Sequence, residues 1–279
     1  MTSAREIDRW LLRRDPNTHK GDYGKLLLLC GAVGYTGAPM LAARAALRSG
    51  AGLVYLGVPK SIYPIVAGAL AEPVVFPLPD EDGKLCPEAL PTALARLREC
   101  DACLLGCGLG RGEGVFRFVS AILREAECPV VVDADGINAL QGHIDVLRGA
   151  ACPRILTPHD GEFRRLGGDP EARVRRAETL RFSAENRVTL LLKGHRTLIC
   201  GDGECYVNHC GNAGMATGGS GDVLAGILVS LLGQGLPPVR AAAAAAWLHG
   251  TAGDLCAREM GEYAMLPTDL IERLPRLLK

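Results

Sequence analysis

Residues 25–58 read KLLLLCGAVGYTGAPMLAARAALRSGAGLVYLGV and contain a complete strand–helix–strand unit. Lys25–Cys30 and Leu53–Val58 are short Leu- and Val-rich runs without polar alternation. A strand that is apolar on both faces must be covered on both faces, which is the situation of a central parallel sheet. Ala38–Ser49 lies between them with apolar residues at helical spacing, opened by the glycines of residues 31–37. Two parallel strands need a crossover of this kind.

The same alternation runs outward. Further strands are predicted at Val74–Pro77, Ala102–Leu105, Val130–Asp133, Arg154–Thr157 and Thr189–Leu192, with helices at Pro87–Glu99, Gly114–Glu127 and Glu171–Asn186. The predicted fold is therefore α/β: a mostly parallel sheet, doubly wound, with helices on both faces. After Lys193 the pattern changes. Thr197–Cys200 and Glu204–Val207 flank the turn Gly201-Asp202-Gly203 and read as an antiparallel hairpin. Helices over Asp222–Leu232, Val239–Arg258 and Thr268–Leu278 close the chain. No Pro/Ser linker, repeat or low-complexity tail divides it, so one domain over 1–279 is expected.

Composition excludes several function classes. The 31 Lys and Arg balance 31 Asp and Glu, which leaves no general electrostatic attraction to nucleic acid or anionic membrane. No apolar run reaches the about 20 residues of a membrane span, and the charged start has no continuous apolar core of a secretory signal. A cytoplasmic protein is expected. Of the 11 cysteines, several sit inside apolar runs (Cys30, Cys103, Cys107), and no His or Cys pair completes a zinc pattern. Reduced thiols throughout are the expectation for that compartment.

In an open parallel sheet, ligands lie beyond the carboxyl ends of the strands. Five such positions here are polar and glycine-rich: GAVGYTGA (31–38), GCGLG (106–110), DADGIN (133–138), TPHDGE (157–162) and KGHRT (193–197). Glycines let backbone N–H groups approach a ligand, and a helix opening next adds oriented donors and positive dipole; both suit phosphate. Neither GxGxxG nor GxxxxGKS/T occurs, so the usual dinucleotide and P-loop signatures are missing. The strongest segment is NAGMATGGSGDVLAG (212–226), with glycines at 218, 219 and 221 before an apolar helix starting near Asp222. Backbone N–H groups of Gly219, Ser220 and Gly221 are the predicted anion hole. A carboxylate beside it suits a base that takes the proton of a hydroxyl attacking the bound phosphate. The bland alternative for Asp222 is an ordinary helix N-cap.

Residues 212–226 closely resemble the signature of the NAD(P)H-hydrate dehydratases, and YTGA (35–38) followed by AARAALRSGAGLV (42–54) resembles that family's amino-terminal block. The other four loop motifs follow in the family's order, so the resemblance runs from about Lys20 to Leu277. It implies a ribokinase-like fold and a hydro-lyase that uses ADP, or secondarily ATP, with Mg2+. The ring hydroxyl of the S epimer of hydrated NADH or NADPH is phosphorylated, and loss of phosphate restores the dinucleotide; with ADP, AMP and phosphate are the other products. Carried over residue by residue, Asp222 is the catalytic aspartate and contacts the hydrate. Gly221 contacts the nucleotide, and Lys193, Gly194, His195, Arg196 and Thr197 form the loop for its AMP portion. Ala38, one of Gly108 and Gly110 (Gly108 ranked first) and His159 contact the substrate. Glu162 resembles the acidic residue that manages magnesium through water; a surface-helix glutamate is its bland alternative, and a helix cap is that of His159. Asp133 and Asp135 orient substrate or close a strand end, and Lys193 acts through its amine or only its backbone.

The resemblance further implies a homo-oligomer, often a tetramer, with the alanine run at Ala241–Ala246 as core or interface, and a separate epimerase that supplies the S epimer. No epimerase domain is expected within this chain. Three positions depart from the commonest pattern: Asp160 where proline is frequent, Gly136 rather than alanine, and Ser220 where threonine is common. None removes a group the chemistry needs. The rival readings are a kinase of a thiazole or pyrimidine vitamin precursor, in which the thiazole enzymes typically place Cys at the position of Asp222, and a noncatalytic nucleotide sensor.

Overall fold

The predicted crossover unit closes in parallel register, Leu26 opposite Val54 and Leu28 opposite Leu56. The computed structural model describes residues 4–11 and 14–278, so both ends of the predicted 1–279 domain lie outside the described residues. Eleven helices and eleven strands follow in chain order: α1 (Ala4–Trp10), β1 (Lys25–Leu29), α2 (Gly37–Arg48), β2 (Leu53–Pro59), α3 (Tyr63–Ala69), β3 (Val74–Leu78), β4 (Asp80–Glu81), β5 (Lys84–Leu85), α4 (Leu90–Leu97), β6 (Ala102–Leu105), α5 (Glu113–Glu125), β7 (Val130–Val132), α6 (Asp135–Ala139), β8 (Arg154–Leu156), α7 (Asp160–Arg165), α8 (Arg175–Asn186), β9 (Thr189–Leu192), β10 (Leu198–Gly201), β11 (Glu204–Val207), α9 (Ser220–Gly233), α10 (Pro238–Met260) and α11 (Pro267–Leu277). Nine strands form one sheet in the order β11-β10-β9-β8-β7-β6-β1-β2-β3, and β4 pairs with β5 apart from it. Seven consecutive strands pair in parallel; β10 and β11 add an antiparallel hairpin at one edge, of which only β10 runs against the rest.

Strand order reverses at β1. The chain moves outward to β2 and β3, then returns to β6 on the other side. The β1/β6 gap is thus the topological switch point, where the loops after the two strands diverge and leave a crevice. All of the predicted parallel strands are present, and both faces are buried because side chains alternate. Leu26, Leu28 and Cys30 join one core with α2, α9, α10 and α11, while Leu27 and Leu29 join the other with α4, α5 and α8. The alanine run resolves as core: Ala241–Ala246 are all at most 4% exposed.

Small residues permit close approach of α2 and α9. A Cβ built on Gly226 would lie 2.3 Å from the Ala42 carbonyl oxygen and 2.8 Å from Ala45 Cβ. Gly226→Ala is therefore expected to destabilise the protein by about 1–3 kcal/mol through overpacking, although alanine is intrinsically the better helix former. Denaturant unfolding of the two proteins measures this; equal midpoints would contradict the tight interface.

The structure departs from the sequence reading in several places. Cys200 and Cys205 are joined by a disulfide, whereas all thiols were expected to be reduced. The hairpin register puts them directly opposite, with Cα atoms 4.2 Å apart, a consequence of the turn that spacing alone did not expose. The other nine cysteines are free. Short helices α1, α3, α6 and α7 were missed because five to seven residues carry too little periodicity. Among the described residues, no helix is long and apolar enough to cross a membrane.

Candidate active site

The glycine segment before α9 bends through Gly219, whose φ of +94° is left-handed and whose Cβ would meet Leu41 Cδ1 at 2.5 Å. Glycine is required there on both counts. The helix begins at Ser220, two residues before the predicted start, so Asp222 is its third residue and Gly219 occupies the cap position. The N-cap alternative for Asp222 is thereby excluded. Of the three expected donors, the Ser220 N–H is turned back to the Thr217 carbonyl at 3.3 Å. Gly219, Gly221 and Asp222 have no backbone acceptor recorded among the described residues, so their N–H groups open toward the sheet's carboxyl edge. Such unsatisfied donors at a helix start attract an anion.

Asp222 meets groups from three other elements. Its carboxylate, an Asp133 oxygen and Cys107 Sγ lie within 4.8 Å of one another. Burial, then the Asp133 carboxylate, push the Asp222 pKa up to about 6; the Cys107 thiol and the Lys193 ammonium pull it down. Asp133 is 1% exposed and accepts from Thr157 Oγ1 at 2.6 Å and from Lys193 Nζ at 2.9 Å. Lys193 therefore points inward, and its amine, not only its backbone, belongs to the site. Burial disfavours its charge, yet Asp133 and Glu162 outweigh that and raise its pKa. A hydrogen bond to Cys30, burial and the nearby carboxylates raise the Cys107 pKa, which keeps it a thiol.

Next to Cys107, the switch-point loops converge. Gly108 has φ +68°, and a Cβ there would stand 3.1 Å from Ala38 Cβ and 2.9 Å from Tyr35 Cβ. Ala38 and Gly108 thus face each other across the β1/β6 gap beside the free N-terminus of α2, which has no side-chain cap. Gly110 points elsewhere: its N–H donates to Asp135 Oδ2 at 2.9 Å. Between the two aspartates, Ala134 adopts φ +47° and ψ −114°, a rare conformation for a residue with a Cβ. This bend leaves Asp133 on Lys193 and Asp135 on the Gly110 loop, a structural task for the latter.

His159 caps α7. Its Nδ1 accepts from Gly161 N at 3.0 Å and Glu162 N at 3.3 Å, and Glu162 Oε2 accepts from His159 N at 2.9 Å. The ring is exposed, and its Nε2 lies 3.5 Å from Glu162 Oε1, so His159 and Glu162 share one edge of the site. Glu162 is buried rather than on the helix surface, with Oε2 3.8 Å from Lys193 Nζ. Residues 193–197 turn between β9 and β10, closed by Thr197 Oγ1 donating to the Gly194 carbonyl at 3.0 Å. His195 and Arg196 are exposed on this turn. Arg175 at the start of α8 pairs with Asp160 and reaches the Lys193 carbonyl at 3.5 Å, tying the two loops.

Sequence reading missed the supports on α10. Buried His249 places Nε2 3.2 Å from Ser220 Oγ, and burial pushes its pKa down to about 4, so it is neutral. Asp254 accepts from Gly211 N and Asn212 Nδ2. The signal was the placing of polar residues such as His249 and Asp254 within a helix that is otherwise rich in alanine. Asp133, Lys193 and Glu162 also provide an acidic edge with one ammonium, a donor set that fits a hydrated magnesium ion held with a nucleotide phosphate.

Sheet order, switch-point crevice and a carboxylate at an open helix start define the class: a ribokinase-like α/β fold. A family model described as NAD(P)H-hydrate dehydratase matches residues 26–276, and the chain belongs to that family. It is 46% identical over 274 residues to a bifunctional NAD(P)H-hydrate repair enzyme of Moorella thermoacetica, covering 96% of this chain and 52% of that one. An ADP-dependent (S)-NAD(P)H-hydrate dehydratase of Neisseria meningitidis is 39% identical, covering 95% of this chain and 88% of that protein. The crystal structure of the ADP/ATP-dependent NAD(P)H-hydrate dehydratase of Bacillus subtilis, crystallised with ATP and Mg2+, superposes with a TM-score of 0.83 at 30% identity, covering 99% and 96% of the two chains. The chain spans about half the length of the bifunctional relatives.

Proposed function

We propose that this chain dehydrates the S epimer of hydrated NADH or NADPH at the expense of ADP, with ATP as a secondary donor. The observation that carries the reading is Asp222: a carboxylate with a pKa raised to about 6, beside free helix N–H groups and close to Cys107 on the loop that also carries Gly108. Ionised at neutral pH, Asp222 takes the proton of the ring hydroxyl as its oxygen attacks the terminal phosphorus of ADP and AMP leaves. A base with a pKa near the working pH combines availability with driving force. The phosphorylated carbon then loses phosphate, with a proton leaving the adjacent carbon, and the ring double bond is restored.

The remaining residues take complementary roles. Gly219 and Gly221 offer N–H groups to phosphate, and Ser220 contributes its side chain to the same helix start. Lys193 adds positive charge, and Gly194, His195, Arg196 and Thr197 hold the AMP portion. Ala38, Gly108 (ahead of Gly110) and His159 bind the hydrate. Glu162 would hold magnesium through water, and the ion would neutralise phosphate charge when bound. One domain, a homotetramer in the cytoplasm and an epimerase that supplies the S epimer complete the reading; its context is the bifunctional hydrate-repair relatives.

The test is regain of absorbance at 340 nm from purified NADH hydrate with Mg2+ and ADP or ATP. Nucleotide-dependent recovery is the expected result, and none from folded protein that binds both ligands would move the assignment to an alcohol kinase. The pH profile checks the base. Because deprotonated Asp222 is the active form, kcat/KM is expected to fall about tenfold per pH unit below an apparent pKa near 6. A limb near 4, the ordinary aspartate value, would contradict that role.

A further inference from the structure

Outside the Asp222 cluster, a cavity of about 210 Å³ opens between the loop after β6 and the end of α6, lined in part by Gly110, Arg111, Phe116, Asn138, Gln141 and His143. Gly110 belongs both to this cavity and, through its bond to Asp135, to the loops that frame the crevice. The volume is below the roughly 300–1,000 Å³ of a whole-ligand pocket, so the cavity suits one end of a longer molecule. Its walls are of two kinds. Phe116 and His143 stack with centroids 4.4 Å apart at 31°, and Gln141 is exposed with no recorded side-chain partner.

The charge at its rim is unbalanced. Among the described residues, the Arg111 guanidinium has no recorded hydrogen bond or ion pair, and Lys84 Nζ meets only the Arg111 carbonyl, at 3.3 Å. The carboxylate in the lining, Glu113, is taken by Arg117 Nε at 2.9 Å. An uncommitted guanidinium beside an aromatic pair suits an anionic purine nucleoside, since a flat base stacks on rings and a phosphate takes a bidentate fork.

Resting on the dehydratase reading, we infer that this cavity binds the adenosine end of the hydrated dinucleotide and that Arg111 recognises the 2′-phosphate that distinguishes NADPH hydrate from NADH hydrate. The dinucleotide then runs from its reacting ring over Asp222, past Ala38 and Gly108, to Gly110 and the cavity. ADP stays on the opposite side, over residues 193–197. Arg111 is thus a specificity residue, remote from the reacting atoms.

The experiment compares kcat/KM for the two hydrates, at fixed ADP and Mg2+, in wild type and Arg111→Ala. The ratio of NADPH hydrate to NADH hydrate is expected to fall about tenfold, the size of one exposed charge-assisted contact. The change should lie in KM for NADPH hydrate, leave KM for ADP alone, and be partly restored in Arg111→Lys. Phe116→Ala should raise KM for both hydrates alike. An unchanged ratio in folded Arg111→Ala overturns the assignment. Should wild type turn over neither hydrate, the dehydratase reading fails by itself. Calorimetry with adenosine 2′,5′-bisphosphate in saturating AMP then still decides the subsite: binding weakened by Arg111→Ala supports it, and no binding or unaltered binding overturns it.

Discussion

Asp222→Asn is expected to lower kcat by about three to four orders of magnitude, leave ADP affinity within about twofold, and make the folded protein more stable at pH 8. The catalytic loss follows from removing the proton acceptor while the neighbouring N–H groups and the Lys193 charge are retained. The stability gain follows from the cause of the raised pKa. Burial and the Asp133 carboxylate disfavour the Asp222 anion in the folded state. A carboxyl whose folded pKa lies above its unfolded value contributes stability below the unfolded pKa, and that contribution is lost as pH rises through about 6. A two-unit shift corresponds to about 3 kcal/mol at most. Asp222 is only partly buried, so about 1–2 kcal/mol is the reasonable size after solvent screening. Thermal melts of both proteins at pH 4 and pH 8, with turnover alongside, measure both effects. The Tm difference should be small at pH 4 and favour Asn at pH 8. A variant that retained turnover would remove Asp222 from the chemistry, whatever its stability.

Gly221→Val should weaken ADP about 100-fold, or about 2.7 kcal/mol, with thermal stability nearly unchanged. The reason is steric and not conformational. Gly221 lies inside the first turn of α9, without the positive φ that Gly219 carries, so a side chain is compatible with the backbone. Its Cβ would stand 3.5 Å from Lys193 Nζ and 3.9 Å from Asp133 Oδ2, in the opening where a phosphate would sit. A single methyl there is an ordinary contact, so Gly221→Ala should cost far less than the branched substitution. Calorimetry with ADP on the three folded proteins gives the ranking Gly, Ala, Val. Equal affinities would mean that phosphate does not enter at this helix start.

The two substitutions act on one α9 turn whose importance was legible in the sequence, while its detailed geometry was not. The glycine cluster at 218–221 announced an anion-binding bend, and the parallel strands were all readable because residues buried on both faces leave uninterrupted apolar runs. The start of α9 was misread by two residues, since Gly219 rather than Asp222 ends the left-handed bend. The three short helices at the strand ends were invisible for want of periodicity, yet α6 and α7 carry Asp135 and Glu162 into the site.

What the sequence determined by itself is the local part: strand and helix alternation, the positions of the glycine-rich loops, the family, and Asp222 as the candidate base. These depend on patterns a few residues long, which the backbone must obey wherever it lies. Only the tertiary structure decided that Lys193 turns inward to Asp133, that Cys107 sits between two carboxylates, that His249 stands behind Ser220, and that Arg111 is left without a carboxylate. Charge interactions depend on separation and on solvent access, which packing sets between residues far apart in the chain and no local pattern encodes.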